Sequence, residues 1–207
     1  MNDTPPTVFV VDDDPSVLKA LARLVRSAGL AVETFASPRE FLDRRRDDRP
    51  GCIVLDLRMP ELSGLELQAL LERQRDALPV IFLSGHGDVP TSVAAMKGGA
   101  IDFLTKPCDE RRLLAAIERA IGRDNRLRSA RDELAGQRAR FAALTPRERQ
   151  ACWLIADGRA DPQIAATLGI SVKATKLHRA RVMRKLGVDS LADLVRLVER
   201  LRAAATP

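Results

Sequence analysis

Through roughly the first 120 residues, short unbroken apolar runs take turns with longer stretches whose apolar positions recur every three or four residues. The runs are Val8–Val11, Ala31–Phe35, Cys52–Leu55, Val80–Leu83 and Ile101–Leu104. The amphipathic stretches are Val17–Ser27, Arg39–Arg46, Gly64–Gln74, Pro90–Lys97 and Glu110–Ile121. Unbroken runs imply strands covered on both faces, and helically spaced stretches between them supply the covers. Five such strand–helix units with short connections predict the α/β class, a doubly wound five-stranded parallel sheet. Right-handed crossovers make 2-1-3-4-5 a fitting strand order.

From Gly122 to Ala143 the pattern changes to an Arg- and Ala-rich stretch in which Leu127, Leu134 and Phe141 recur every seven residues. A helical linker over 122–143 is expected; three positions are too few to define a coiled coil with a second copy. The remainder, 144–207, reads as an all-α domain of four short helices. Thr145 is an N-cap, with Pro146 at the first helical position and Glu148 at the capping-box position. Asp161-Pro162 repeats that start with Asp161 as cap, Ser171 opens a third helix, Gly187 closes it and Ser190 opens the last. Residues 1–121 form the first domain in this reading.

Composition is ordinary for a globular chain, 45% apolar and 30% charged. No apolar run approaches the ~18 residues of a membrane span, and MNDTPPT lacks the regions of a signal peptide, so no membrane role and a cytoplasmic location are expected. Cys52, Cys108 and Cys152 are odd in number and form no CxxC, which suits small buried or half-buried thiols in a reducing compartment. Charge changes the picture more. Residues 1–121 carry 16 Lys+Arg against 19 Asp+Glu, a net of −3; residues 122–207 carry 18 against 9, a net of +9. An acidic front and a basic back imply two tasks, the second directed at a polyanion, with nucleic acid the best candidate.

In a doubly wound sheet, ligands bind beyond the carboxyl ends of the strands where strand order reverses. Strand one ends in Asp12 and Asp13, strand three in Asp56, strand four in Ser84 and strand five in Lys106. Three carboxylates suit an oxygen-loving divalent cation such as Mg²⁺, and aspartate can also attack phosphorus to give an acyl phosphate. Lys106 then neutralises phosphoryl charge while the Ser84 hydroxyl donates to one of its oxygens. Asp14, beside Pro15, is read instead as a helix N-cap.

The segments VVDDDPSV, DLRMPELSG, LSGHGDV and DFLTKP, in this order over residues ~7–121, resemble the receiver domains of bacterial two-component response regulators. The resemblance implies that Asp56 accepts phosphate from the phosphohistidine of a sensor histidine kinase. It implies that Asp13, Asp56 and the Arg58 backbone carbonyl ligate Mg²⁺, with Asp12 acting mostly through water. Ser84 and Phe103 are implied as the switch pair, the hydroxyl moving onto the phosphate and the ring turning inward. Ser84 stands where many members carry threonine, which keeps the hydroxyl; Phe103 stands where some carry tyrosine, which removes a phenol hydrogen bond. Lys106-Pro107 resembles the family's cis peptide. His86, in a Gly-flanked loop, is read as having no catalytic role, and Met59-Pro60 and Gly64 as a turn and helix start.

Residues 144–188, LTPRERQACWLIADGRADPQIAATLGISVKATKLHRARVMRKLGV, resemble the LuxR-type helix-turn-helix, and the whole chain the NarL/FixJ class of regulators. On the helix Val172–Lys185, Thr175, Val182 and Leu186 share an inward face at ~100° per residue. Lys173, Leu177, Ala180 and Arg184 lie opposite, with Lys176 on the flank. This mixture of small, apolar and basic groups suits a major groove. Lys176, Leu177 and Ala180 match the family's base-touching positions; Lys173, Arg179 and Arg181 are read as phosphate or flanking contacts. The chain has Ala174-Thr175 where the family usually has Thr-Val, and Asp161-Pro162 where it usually has Asn-Lys.

The leading expectation is a regulator and not an enzyme: phosphorylation at Asp56 promotes a homodimer on double-stranded promoter DNA, with RNA polymerase a further partner. Leu191, Leu194, Val195 and Val198 either form a dimer contact or pack inside their own domain. Two alternatives remain open at this point. One is a haloacid-dehalogenase-type phosphatase with Asp12 as nucleophile and Asp14 as acid/base; the other keeps the receiver but attaches a protein- or RNA-binding output.

Overall fold

The computed structural model describes residues 5–43, 49–73, 78–85 and 89–203. By internal packing the chain divides into two units, Met1–Arg128 and Ser129–Pro207.

The first unit is built on strands β1 (Thr7–Val11), β2 (Ala31–Phe35), β3 (Gly51–Leu55), β4 (Val80–Ser84) and β5 (Asp102–Thr105). All pairings are parallel and the order is β2-β1-β3-β4-β5, as the apolar runs predicted. Strands β1, β3 and β4 are buried at every residue, whereas β2 and β5 are edges. Alternate side chains serve opposite faces, because successive Cβ atoms point to opposite sides of a strand. Val8, Val10, Cys52, Val54, Ile81 and Leu83 pack against α1 (Pro15–Ser27) and the start of α5 (Glu110–Ala142). Phe9, Val11, Ile53, Leu55 and Phe82 pack against α2 (Pro38–Asp43), α3 (Gly64–Arg73) and α4 (Val89–Lys97). Strand boundaries differ from the sequence reading by a single residue at five of the ten ends and coincide at the other five. The expected ends of the second and third helices, and His86, fall outside the described residues.

Two glycines fix close approaches here. A Cβ on Gly51 would lie 2.1 Å from the Thr7 carbonyl oxygen, and one on Gly64 would lie 2.3 Å from the Asp56 carbonyl oxygen. Helix α5 runs through the stretch expected to be a linker. Its buried Asp124, 4% exposed, accepts from the Gly51 amide at 2.9 Å and from Arg128 Nε at 2.7 Å.

The second unit holds α6 (Pro146–Ala156), α7 (Asp161–Leu168), α8 (Val172–Leu186) and α9 (Leu191–Ala203) around one core that includes Ile155, Ile164, Val182, Leu186 and Leu197. The capping box at Thr145 and Glu148 forms as read, and Ser171 caps α8 through the Ala174 amide. One expectation changes, and the packing narrows two open readings. Ala160, not Asp161, is the N-cap of α7; Gln163 Oε1 takes the Ala160 amide at 3.0 Å and Asp161 enters the first turn. Leu134 and Phe141 pack onto the core of this unit, so the seven-residue row is not a free seam, while Leu127 is exposed. Leu194 and Val198 are buried in their own domain, leaving Leu191 exposed and Val195 half-buried. Most of the apolar area of this helix face is therefore spent inside its own domain, with Leu191 the part left open.

The three cysteines are free thiols: Cys52 and Cys152 are buried and Cys108 half-buried. Burial pushes the Cys52 thiol up to about 12 and Cys152 to about 11, so both stay protonated and act as small apolar groups. Among the described residues no helix is long and apolar enough to cross a membrane.

Candidate functional site

Parallel strands β1 and β3 are in register, with Val11 opposite Leu55, so the residues that follow them emerge side by side. The Asp56 amide donates to the Val11 carbonyl at 2.9 Å, which ties the two chain exits together. Asp12 is 2% exposed and Asp56 6%. Between them stands the Lys106 ammonium, from the end of β5, at 2.5 Å from Asp12 Oδ2 and 2.8 Å from Asp56 Oδ1. The bond from Lys106 to Pro107 is cis. The second oxygen of each carboxylate is held by backbone: Asp56 Oδ2 accepts from the Arg58 amide at 2.7 Å, and Asp12 Oδ1 from the Asp14 amide at 3.0 Å.

Burial raises the Asp12 carboxyl above its ordinary value, and the Lys106 hydrogen bond pulls it partly back. Burial pulls the Lys106 ammonium down, but the hydrogen bonds to Asp12 and Asp56 outweigh it and the net direction is up. A raised carboxyl facing a raised ammonium pulls the pair in opposite senses. The ammonium stays charged, because two carboxylates hold it and it retains access to solvent. Two enclosed carboxylates thus share one ammonium, which leaves excess negative charge in the pocket.

The other residues expected here are arranged around that core. Ser84 ends β4 at 1% exposure. Phe103 is half-buried on β5 and stacks at a tilt on Phe82, ring centroids 6.0 Å apart. Asp13 and Arg58 are exposed. Asp14 is the N-cap of α1, accepting from the Ser16 amide at 2.8 Å and its hydroxyl at 2.7 Å. The Ser16 hydroxyl bond lowers its pKa. That engagement removes Asp14 from acid/base work, which counts against the phosphatase reading.

Among the described residues no three His, Cys, Asp or Glu side chains cluster closely enough to hold a metal ion alone. The donor set does fit Mg²⁺, which takes one or two carboxylates and completes its shell with waters and phosphate oxygens. The surplus carboxylate charge between Asp12 and Asp56 is the local feature such a cation would offset.

In the second unit, α8 presents Lys173, Lys176, Leu177, Ala180, Arg181 and Arg184 as exposed residues, while Thr175, Val182 and Leu186 are buried. Six of the seven residues expected to face DNA therefore share an open surface. Arg179 does not: it is half-buried, and its Nη2 pairs with Asp161 Oδ1 of α7 at 2.6 Å. The helical repeat carried the signal, since position 179 falls four residues after Thr175 and three before Val182 on the inner side. A second ion pair was also missed. Lys185 Nζ reaches Glu148 Oε2 at 2.7 Å, joining α8 to the cap of α6.

Residues 8–118 match the response regulator receiver domain, and residues 142–198 match the luxR family of bacterial regulatory proteins. This chain belongs to the NarL/FixJ class of two-component response regulators. The regulator is 45% identical over 198 residues to nodulation protein W of Bradyrhizobium diazoefficiens, covering 96% of this chain and 87% of that one. It is 44% identical over 193 residues to the transcriptional regulatory protein FixJ of Azorhizobium caulinodans, covering 92% and 90%. Among solved structures, the response regulator StyR aligns with a TM-score of 0.84 at 48% identity, covering 95% of this chain and all of that one (100%). Full-length FixJ from B. japonicum aligns with a TM-score of 0.57 at 39% identity, covering 95% and 97%. A receiver domain implies a sensor-kinase partner, and a LuxR-type domain implies DNA.

Proposed function

We propose that the regulator is a transcription factor switched by phosphorylation of Asp56, with a receiver over 1–121, a helical linker over 122–143 and a DNA-binding domain over 144–207. The observation that carries the reading is the Lys106 ammonium held between Asp12 and Asp56 at the strand ends. An Asp56 carboxylate oxygen attacks the phosphorus of the kinase phosphohistidine. The new O–P bond forms as the P–N bond breaks, and the imidazole leaves with the electron pair. Lys106 follows the negative charge onto the phosphoryl oxygens, and the Ser84 hydroxyl donates to one of them. Mg²⁺, when held by Asp13, Asp56 and the Arg58 carbonyl, with Asp12 reaching it through water, supplies further neutralisation of those oxygens.

Movement of Ser84 toward the phosphate opens space beside β5, and Phe103 turns inward to fill it. This biases the receiver toward a state that dimerises. Two copies then offer two α8 helices to a pseudo-palindromic promoter, where Lys176, Leu177 and Ala180 meet base edges and Lys173, Arg181 and Arg184 meet phosphates. RNA polymerase is a further partner in this scheme, and the cytoplasm its setting. The test is beryllofluoride or acetyl phosphate with Mg²⁺ on the wild type and on Asp56→Asn, read by intact mass, light scattering and DNA footprinting. Modification, dimerisation and tighter footprints only in the wild type support the reading. Modification mapped to Asp12, or dimerisation surviving in Asp56→Asn, refutes it.

A further inference from the structure

We propose that the Asp161–Arg179 ion pair is a strut that sets the presentation of α8, making Arg179 a positioning residue for sequence discrimination and no phosphate contact. Geometry comes first. At ~100° per residue, position 179 lies about 40° from Thr175 and about 20° from Leu186, both of which are buried. The groove-facing residues Lys173, Leu177, Ala180 and Arg184 occupy the opposite arc and are exposed. A guanidinium on the inner flank is aimed at α7, and there it meets Asp161 Oδ1 at 2.6 Å with side chains 29% and 22% exposed.

The inner edge of Arg179 confirms that it is not a surface side chain folded back by chance: its Nε is buried and, among the described residues, has no hydrogen-bond partner. A half-buried guanidinium whose Nε is shielded from water leans on the carboxylate that holds its outer nitrogen, because removing that partner leaves a less well compensated charge. Asp161 is free for the role. Gln163 Oε1 takes the Ala160 amide at the start of α7, so the carboxylate is not needed as a cap. Standing in the first turn, it is also favoured by the positive end of the α7 dipole.

Helix α7 is only eight residues long and buries Ile164 and Ala165 against the core. So short an apolar face fixes the separation of α7 from α8 better than their relative rotation; a charged pair at the rim fixes the rotation. In a helix-turn-helix the first helix braces the one that enters the groove. A small rotation of α8 misaligns the base-edge contacts together, because these are short and directional. Long Lys and Arg side chains on the same face still find phosphates. Loss of the strut therefore costs discrimination before it costs general affinity.

The inference rests on the reading of unit two as a sequence-specific DNA binder, and the experiment separates the two. The full-length wild type, with beryllofluoride and Mg²⁺ present here and in every later measurement, first selects duplexes from a random library. Affinity for a selected duplex and for a scrambled duplex of equal length is then measured across salt for the wild type, Asp161→Asn, and Asp161→Asn with Arg179→Gln. The ratio of the two affinities cancels the general gain from removing a negative charge. The strut predicts a fall of about tenfold in that ratio for Asp161→Asn, an unchanged salt slope, and recovery of much of the ratio in the double variant, whose amides hydrogen-bond without charge.

If Arg179 were instead a phosphate contact held back by Asp161, Asp161→Asn would tighten both duplexes and steepen the slope by about 0.9; that result overturns the proposal. A wild type that selects nothing overturns the underlying reading. Should thermal melts show that Asp161→Asn unfolds the domain, Arg179→Lys carries the test. It keeps the charge but loses the planar fork, so the strut predicts lowered discrimination at constant slope; unchanged discrimination sinks it.

Discussion

Glu148 is the side chain through which the start of α6 and the far end of α8 hold each other, and its removal should reach both. Its carboxylate accepts from the Thr145 amide at 2.9 Å and from Lys185 Nζ at 2.7 Å, at 6% residue exposure. Those bonds, the Lys185 one first, hold its pKa at about 2, down from an ordinary 4.5. Taken at face value that difference is about 3 kcal/mol of linked stability. Lys185 is 41% exposed, however, and solvent screening reduces the value to about 1–2 kcal/mol.

Glu148→Gln keeps an acceptor for the Thr145 amide and loses only the charge, so it should cost about 1–2 kcal/mol. Glu148→Ala also loses half of the capping box, for about 2–3 kcal/mol in all. The sole tryptophan, Trp153, stacks edge-on against Phe141 in the same unit with centroids 5.1 Å apart, so urea unfolding of the full chain followed by its fluorescence reports this domain. The sign of the pH effect follows from a depressed folded pKa. The contribution is complete above the unfolded value of 4.5 and disappears as pH falls toward about 2. The gap between wild type and Glu148→Gln should therefore be full near neutral pH and close between about pH 4.5 and pH 2. A gap that persists unchanged at the acid end, or equal losses for Gln and Ala, would refute the argument.

Three further perturbations address the receiver. Gly64→Ala places a methyl 2.3 Å from the Asp56 carbonyl oxygen and 3.0 Å from the Phe82 ring. It should slow acetyl-phosphate labelling more than tenfold and cost about 2–3 kcal/mol; normal labelling kinetics would contradict it. Asp124→Ala removes the acceptor for the Gly51 amide and the partner of Arg128. A loss of about 2–3 kcal/mol and faster hydrogen exchange at Gly51 should follow, with Asp124→Asn retaining the amide protection. Calorimetric titration with Mg²⁺ should show binding weakened about tenfold or more by Asp13→Asn, and equal binding would remove Asp13 from the proposed ligand set.

What the sequence by itself determined were features decided within one element or by its pattern. Unbroken apolar runs meant strands covered twice, and the β2-β1-β3-β4-β5 sheet with helices on both faces followed. The caps at Asp14, Thr145 and Ser171 were readable because a cap and the amide it satisfies lie within three residues. Tertiary structure alone decided which distant charges meet. Lys106 reaches Asp12 across 94 positions and Asp56 across 50, and the strand ends pointed to their convergence without fixing the bonds. Arg179 looked like one more basic residue for DNA until its flank of α8 was seen against Asp161. The pair Leu194 and Val198 read equally well as a dimer contact or as core, and the row through Leu134 and Phe141 read as part of a helical linker. Apolar periodicity shows that a face is covered; only the packed chain shows by what, and here their own domain covers them.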